Sequence, residues 1–478
     1  MMKKWIWAGA VVLTALSCWA EKPAKKEKTQ GREGGGNRMA YPAPKQAWDV
    51  ATIILGIPEA DRISLSIYPA AELEGYIEYG TNRTAPQLLS AKTPTQLTLT
   101  NLTADAEVAY RLRYRQPGDA DFKTGPAYRF HTARAPGRPF VFEIQGDSHP
   151  ERSPKQNDPA LYEQMLLAAA KDRPDFYICM GDDFSVDTLQ TVNPETVRQV
   201  YLRQLPYLGL VAHSAPLFLV NGNHEQAARA NLDGSSNNVA VWAQNSRNRF
   251  FPQPAPDRFY SGDTNEVPHI GLLRDYYAWT WGDALFVTLD PYWHSEQAVD
   301  NNFGGGKKQR DLWNIGLGDE QYRWLKKTLE ESPAKYKFVF AHHVNGTGRG
   351  GAKLATSYEW GDAGGLRSHR PGWELPIHQL MVKNQVTIFF QGHDHLFARE
   401  KLDGVIYQTL PDPANRNTDL RNAEAYPGAD LPDGSGRVRV SVGPEKVRVE
   451  FISSRLPQDA TPERPDGAIL FAYELPAR

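Results

Sequence analysis

Residue types that ligate metal ions occur in five segments of this chain, each directly after a predicted strand. In chain order the segments are Gly146-Asp147-Ser148-His149, Gly181-Asp182-Asp183, Gly222-Asn223-His224-Glu225, Ala341-His342-His343 and Gly392-His393-Asp394-His395. Core packing does not explain this series, because such side chains are costly to bury without partners. Carboxylate, amide and imidazole donors together favour Fe, Mn or Zn, whereas all-oxygen sites favour Mg or Ca. Two neighbouring cations repel, so a carboxylate must bridge them, and we predict Asp182 as that bridge in a hydrolytic two-metal site.

The elements that must position these segments are short, continuous apolar runs, which predict strands covered on both faces. The runs are Phe140–Ile144, Phe176–Met180, Leu217–Val220, Leu285–Leu289, Phe338–Phe340 and Val386–Phe390. Helical patterns occur between them at Leu161–Ala170, Glu195–Leu205 and Asp319–Glu331, and closing strands are predicted at Arg437–Val442, Val447–Ile452 and Ala468–Leu475. Alternation of strand and helix predicts a layered α/β domain over residues 138–478.

Residues 49–134 have a different pattern, with apolar residues at every second position. Ile63, Leu65 and Ile67 alternate with polar neighbours, and turn signals separate such runs. This periodicity predicts an all-β sandwich. Leu99-Thr100-Asn101-Leu102 followed by Tyr110 resembles the tyrosine corner of fibronectin type III-like domains.

The N-terminus has the pattern of an export signal. Lys3-Lys4 precede an apolar run, Trp5–Leu16, which is too short for a membrane span. We predict a signal peptide over residues 1–20, a polar tether over 21–48, and a periplasmic or cell-surface location. Two cleavage positions fit: after Ala20, or before Cys18 as a lipoprotein with a lipid anchor. The formal charge of −2 gives no signal for nucleic-acid binding, and the sequence does not determine the oligomeric state.

The five segments, in this order, resemble the calcineurin-like metallophosphoesterase superfamily over roughly residues 138–455, a fold with a β-sandwich core flanked by helices. The sandwich before them resembles the two-domain layout of purple acid phosphatases. The resemblance implies one ion held by Asp147, His149, Asp182 and His395, and a second held by Asp182, Asn223, His342 and His393. It further implies that His224 faces the leaving oxygen of the substrate as proton donor, with Glu225 orienting its imidazole.

The chain departs from purple acid phosphatases in its candidate ligands. Those enzymes have a tyrosine three residues after the bridging aspartate, where this chain has Ser185, and they usually lack a histidine at the position of His149. We therefore expect a His149 nitrogen in place of the tyrosinate, and His343 as a neighbour of the ligand His342. Additional contacts to the substrate anion are predicted from the loops that carry Arg349, Arg367, His369 and Arg370.

The resemblance implies a metal-dependent phosphoric ester hydrolase, in which two ions (Fe, Mn or Zn) activate a water molecule and neutralise phosphoryl charge. Phosphomonoester hydrolysis is the leading hypothesis, and phosphodiester hydrolysis is the alternative because the same ligands serve both. A 5′-nucleotidase is disfavoured, since Gln226-Ala227 follows Glu225 where that family usually has Phe-Asp. A non-catalytic surface binding protein is the alternative from another class. Asp290 is interpreted as site-supporting or structural, and His294 as structural or surface-exposed.

Overall fold

The computed structural model describes residues 41–46, 50–297, 299, 311–418 and 420–477. The predicted signal peptide, both cleavage positions and most of the tether lie outside the described residues. Residues 41–46, which the sequence assigns to the tether, instead pack against the body of the protein. The Tyr41 hydroxyl donates to Asn157 Oδ1 (2.7 Å), and the backbone N–H of Gln46 donates to Glu163 (2.8 Å). The packed chain therefore begins before the predicted end of the tether.

The N-terminal part is rich in antiparallel strands. They are β1 (Ala51–Gly56), β2 (Ile63–Pro69), β3 (Leu73–Tyr79), β4 (Asn82–Arg83), β5 (Gln87–Leu89), β6 (Thr95–Leu99), β7 (Glu107–Arg115) and β8 (Lys123–His131). One sheet has the order β1-β2-β6, and the other has the order β4-β3-β7-β8 with β5 paired to β3. The alternating residues Ile63, Leu65 and Ile67 are fully buried in the core that both sheets share, as their period of two requires.

Tyr110 does not make the hydrogen bond of a tyrosine corner. Its hydroxyl donates to the backbone carbonyl of His213 (2.7 Å), which lies at the end of a helix in the following α/β part. The ring is buried, so the hydroxyl needs a partner. This side chain therefore fastens the N-terminal sheets to the rest of the protein, and the resemblance to a tyrosine corner does not extend to the hydrogen bond of its hydroxyl.

Two sheets form the centre of the α/β part. The strands of the first sheet are β9 (Phe140–Gln145), β10 (Phe176–Cys179), β11 (Leu217–Leu219), β21 (Gly436–Val442), β22 (Lys446–Ser453) and β23 (Ile469–Pro476). Those of the second are β12 (Ser261–Gly262), β15 (Tyr277–Trp281), β16 (Ala284–Thr288), β17 (Tyr336–Phe340), β18 (Ile388–Gln391), β19 (Ala398–Leu402) and β20 (Val405–Thr409). The first sheet has the order β11-β10-β9-β21-β22-β23, and the second has the order β12-β15-β16-β17-β18-β20-β19. A short hairpin, β13 (Glu266–Val267) and β14 (Gly271–Leu272), lies between β12 and β15.

The two sheets pack face to face through an aromatic core. Phe142, Phe286 and Phe338 are fully buried there, with ring centroids between 5.1 and 5.5 Å apart. Helices cover the outer faces: α1 (Pro159–Asp172), α2 (Pro194–Ala212), α3 (Val239–Phe250), α4 (Gly318–Glu331), α5 (Tyr358–Gly361), α6 (Ala363–His369) and α7 (Ile377–Lys383). The predicted α/β layers, with a two-sheet core flanked by helices, are confirmed. No described helix has the length and apolar character needed to cross a membrane.

Parallel strands bring the candidate site together. Strand β10 runs parallel to both β9 and β11, and β17 runs parallel to both β16 and β18. Because carboxyl ends of parallel strands meet at one edge of a sheet, the loops that follow β9, β10, β11, β17 and β18 lie close together. These are the loops that carry the five predicted segments.

Two glycines allow the loops after β10 and β11 to touch. A Cβ on Gly222 would lie 2.3 Å from Asp182 Oδ1 and 2.5 Å from Glu225 Oε2. Gly181 has a φ of +95°, and a Cβ there would lie 2.8 Å from the Cα of Gly222. Only glycine fits such a close approach, and at Gly181 only glycine adopts the backbone readily. The close packing places Asp182 beside Asn223.

Candidate metal centre

One cluster of potential ligands forms where the loops after β9 and β18 meet. Asp147, His149 and His395 each offer one donor atom, and these atoms lie within 4.8 Å of one another. Nε2 of His149 lies 3.7 Å from Asp147 Oδ2, and Nε2 of His395 lies 3.9 Å from the same oxygen. The separations exceed hydrogen-bond length, so the three donors surround a space rather than satisfy one another.

A second cluster forms from the loops after β10, β17 and β18, and consists of Asp182, His342 and His393. Asn223 completes it, because its Oδ1 lies 3.1 Å from His342 Nε2 and 3.0 Å from His393 Nδ1. All four residues are at least nine-tenths buried. The loops therefore bring together every residue predicted for the second ion.

Asp182 lies beside both clusters of donors. Its Oδ2 lies 3.7 Å from His149 Nε2 on one side and 3.2 Å from His342 Nε2 on the other. Its other oxygen accepts from the backbone N–H of His224 (2.9 Å), which holds the carboxylate in this orientation. The residue predicted as a bridge thus lies between the two sets of donors.

Buried donor atoms without a hydrogen-bond partner also support metal binding at the clusters. Asp147 Oδ2 and His149 Nε2 are buried and have no hydrogen-bond partner among the residues that the structure describes. Buried polar atoms normally have a partner, and both atoms face the first cluster. Carboxylate, amide and imidazole donors of this kind suit divalent metal ions.

Neighbouring groups orient the histidines. Nδ1 of His342 lies 2.7 Å from the carbonyl oxygen of Met180, and Nδ1 of His395 lies 2.6 Å from Asp412 Oδ1. Nδ1 of His149 lies 2.8 Å from Glu151 Oε1. Since these oxygens can only accept, each Nδ1 donates and Nε2 is the nitrogen left to bind an ion, as in other metal sites.

The carboxylates of Asp182 and Asp147 raise the pKa of His342. Burial lowers the pKa of this imidazole, but the charges of Asp182 and Asp147 outweigh burial and raise the pKa to about 10. A site that holds a proton on histidine so strongly attracts cations in general. Binding of an ion would release that proton, so metal affinity is expected to increase with pH.

His224 lies at the mouth of the clusters with its side chain 19% exposed, and it forms a further group of potential donors with His149 and Asp182. Its Nδ1 lies 2.7 Å from Asp187 Oδ2, and its Nε2 lies 3.8 Å from Asp182 Oδ2. Burial lowers its pKa, but the charge of Asp182 and the hydrogen bond with Asp187 raise the pKa above its ordinary value. The hydrogen bond with Asp187 therefore fixes the orientation of the imidazole at the mouth of the clusters.

The prediction that Glu225 orients His224 is corrected, because Asp187 occupies that position. Glu225 instead accepts from the backbone N–H groups of Phe184 (3.0 Å) and Gly222 (2.8 Å). The first bond joins the loop after β11 to the loop after β10, and the second lies within the loop after β11. Burial, and next the charge of Asp182, raise the pKa of Glu225 to about 7. Its position assigns it a structural function for the two loops.

Arg152 is a site residue that the sequence patterns missed. Nη2 of its guanidinium lies 3.1 Å from His224 Nε2, and Nη1 lies 3.4 Å from His395 Nε2. The side chain is 28% exposed and lines a cavity of about 210 Å³ together with His395, Arg349 and Arg421. It follows His149 by three residues, and that proximity is the one sequence signal that could have identified it.

The remaining predicted residues do not belong to either cluster. The Ser185 hydroxyl lies 3.2 Å from His149 Nδ1. His343 is a neighbour of the second cluster, with its ring 4.6 Å from that of His393 and its Nε2 3.6 Å from Asp394. Arg349 lines the cavity but donates to Asp394 Oδ1 (2.7 Å). Arg370, directly after α6, pairs with Glu359, and His369, the last residue of α6, stacks on Trp313. Both are held by structural contacts instead of reaching the clusters. Arg367, also on α6, is exposed.

The chain belongs to the calcineurin-like phosphoesterase family, whose model matches residues 144–397. Its fold is similar to a solved structure of PhoD, with a TM-score of 0.62 and 13% identity, covering 89% of this chain and 90% of that one. It is also similar to purple acid phosphatase PPD1 from yellow lupin (Lupinus luteus) seeds, with a TM-score of 0.57 and 15% identity, covering 88% and 73%. No curated protein matches the chain.

Membership of this family makes the protein a metal-dependent phosphoester hydrolase. The clusters described above are its candidate metal-binding residues, and a phosphate ester is its substrate class.

Proposed function

We propose that this protein is an exported phosphomonoesterase that uses two metal ions joined by Asp182. The observation that carries the proposal is the position of Asp182 Oδ2 between His149 and His342, each of which belongs to a separate cluster of donors. In this assignment Asp147, His149 and His395 hold one ion, and Asn223, His342 and His393 hold the other. The predicted export signal supports the location, and N-terminal sequencing of the mature protein tests it.

The ions, when bound, supply Lewis-acid activation of the phosphoryl group and lower the pKa of water. Residues of the chain supply substrate binding and proton transfer. Arg152 faces the same space as His224 and His395, where its guanidinium can bind a phosphoryl oxygen in a fixed geometry. His224, held by Asp187, donates a proton to the departing alcohol oxygen.

A phosphomonoester is favoured over a diester by the charge beside the clusters. A monoester dianion carries a second negative charge that a diester lacks, and three arginines (Arg152, Arg349 and Arg421) line the adjoining cavity against one carboxylate, Asp394. Arg349 also pairs with Asp394, which is completely buried, so its guanidinium is held in place. Fixed positive charge at this position stabilises the more highly charged ester.

Turnover of a chromogenic phosphomonoester against its bis-ester tests the proposal. The metal-loaded protein is expected to give a higher kcat/KM for the monoester, and Asp182→Asn is the inactive control for contaminating phosphatases. A preference for the bis-ester would replace the proposal by a phosphodiesterase. Absence of hydrolysis of both, with the metals bound, would support the alternative of a surface binding protein.

Replacement of Arg152 by glutamine is expected to lower kcat/KM for the monoester by about tenfold to a hundredfold. Hydrogen bonds to charged groups contribute about 1.5–3 kcal/mol, and each 1.36 kcal/mol is a factor of ten. Steady-state kinetics measures the loss. Arg129→Gln is the matched control, since Arg129 is exposed on β8 and pairs with Glu107. Equal kinetics for Arg152→Gln and wild type would contradict an anion-binding function for Arg152.

A further inference from the structure

Three aspartates lie at the same end of neighbouring strands in the second sheet, apart from the two clusters. Asp263 directly follows β12, Asp275 lies two residues before the start of β15, and Asp290 lies two residues after the end of β16. In the strand register Gly262 pairs with Tyr277, and Tyr277 pairs with Thr288. Continuing this register by two residues places Asp275 across from Asp290, with Asp263 on the other side. The sheet itself therefore gathers three carboxylates.

An imidazole completes the group. His294, in the turn after Asp290, has its Nε2 3.1 Å from Asp275 Oδ2. Asp263, Asp275 and His294 each offer a donor atom, and these atoms lie within 4.8 Å of one another. Asp263 and Asp275 are 1% exposed and Asp290 is completely buried, so water does not stabilise their charges.

Each of the three carboxylates has an oxygen without a protein partner. Asp263 Oδ2, Asp275 Oδ1 and Asp290 Oδ2 are buried and accept no hydrogen bond from any residue that the structure describes. Over the same described ranges, the one ion pair of these carboxylates is that of Asp275 with His294. Three carboxylates beside one imidazole leave an excess of buried negative charge, which a bound cation or added protons must neutralise.

The group is separate from the metal centre but connected to it by Tyr292. The backbone N–H of Tyr292 donates to Asp290 Oδ1 (2.6 Å), and its ring centroid lies 6.4 Å from that of His342. The Tyr292 hydroxyl donates to the carbonyl of Gly346 (3.1 Å) in the loop that follows His342. A contact that holds the turn from Asp290 to His294 in place therefore also holds Tyr292 against His342.

We propose that Asp263, Asp275 and His294, with Asp290 beside them, form an additional binding site for one divalent metal ion. The donor set combines carboxylate oxygen with one imidazole nitrogen, which suits Mn²⁺ or Zn²⁺ better than Ca²⁺ or Mg²⁺. The ion joins the ends of β12 and β15 to the turn after β16. Its function is structural: it holds Tyr292 against His342 and offsets the buried charge.

Metal content of the full-length protein tests this site independently of catalysis. The protein is loaded with Mn²⁺ or Zn²⁺, passed through a desalting column, and measured by inductively coupled plasma mass spectrometry. Asp275→Asn is expected to contain about one ion per chain less than wild type, because it removes the central carboxylate of a single site. The same difference is expected between Asp182→Asn and the double variant Asp182→Asn/Asp275→Asn, which separates this site from the main centre.

The control is Asp403→Asn. Asp403 pairs with the buried His378 at 3.1 Å, the same distance as in the Asp275–His294 pair, but no other carboxylate completes a cluster there among the described residues. Asp403→Asn is expected to keep the wild-type metal content. His294→Gln is the second variant if Asp275→Asn does not fold, with circular dichroism as the check of folding. An unchanged ion count in folded Asp275→Asn or His294→Gln would overturn the proposal.

Discussion

Replacement of Asp182 by asparagine is expected to lower kcat/KM by about a thousandfold. Asp182 Oδ2 faces a histidine of each cluster, at 3.7 Å and 3.2 Å, so the amide removes the one charge that both ions would share. Bound ions supply several kcal/mol of stabilisation to the developing phosphoryl charge, and each 1.36 kcal/mol is a factor of ten. Steady-state kinetics with a chromogenic monoester, together with metal analysis, measures both losses.

Asp183→Asn is the matched control for Asp182→Asn. Asp183 is the next residue and is equally buried, but its Oδ1 accepts from Gln145 (2.7 Å) and Ser148 (2.6 Å), away from both clusters. Burial raises the pKa of Asp183 well above its ordinary value, so a neutral amide is a close substitute. We expect Asp183→Asn to keep its metals and most of its activity. Equal losses in both variants would contradict the bridging assignment.

Replacement of His224 by glutamine is expected to lower kcat by about a hundredfold to ten-thousandfold while both ions remain bound. A positioned general acid contributes a factor of this size, and His224 is partly exposed at the mouth of the site, outside the buried donors. The loss should be larger for an alkyl phosphate than for 4-nitrophenyl phosphate, because nitrophenolate leaves without a proton. Kinetics with both substrates measures this difference.

Asp187→Asn separates proton donation from metal binding at His224. The hydrogen bond of Asp187 with His224 Nδ1 orients the ring and supports its positive charge, so this variant should show a smaller loss with the same dependence on the leaving group. Loss of bound metal in His224→Gln would show that His224 is a ligand. An equal loss for both substrates would exclude its function as proton donor.

The sequence predicted the parts of the fold that depend on periodicity. Continuous apolar runs such as Phe338–Phe340 did become fully buried strands, and alternation at Ile63, Leu65 and Ile67 did place one face in a core. The candidate ligands were identified because each follows such a strand, and parallel pairing makes strand ends converge. These signals are local in sequence, which is why they could be found without a structure.

What could not be predicted depends on contacts between distant loops. Asp187 and Glu225 are both acidic and both lie near His224 in space, and only the folded loops show that Asp187 bonds to the imidazole while Glu225 bonds to backbone amides. The partner of Tyr110 lies 103 residues away in sequence. The group around Asp275 arises from strand register, because its members are separated by turns and a hairpin that carry no metal-binding motif.

The central claim is that two ions share the carboxylate of Asp182. A crystal structure of the metal-loaded protein, with anomalous scattering recorded at the absorption edge of the metal, tests it most directly. We expect two anomalous peaks, one beside Asp147, His149 and His395 and the other beside Asn223, His342 and His393, with Asp182 coordinating both ions. A single peak among these residues, or a second peak that Asp182 does not contact, would contradict the claim.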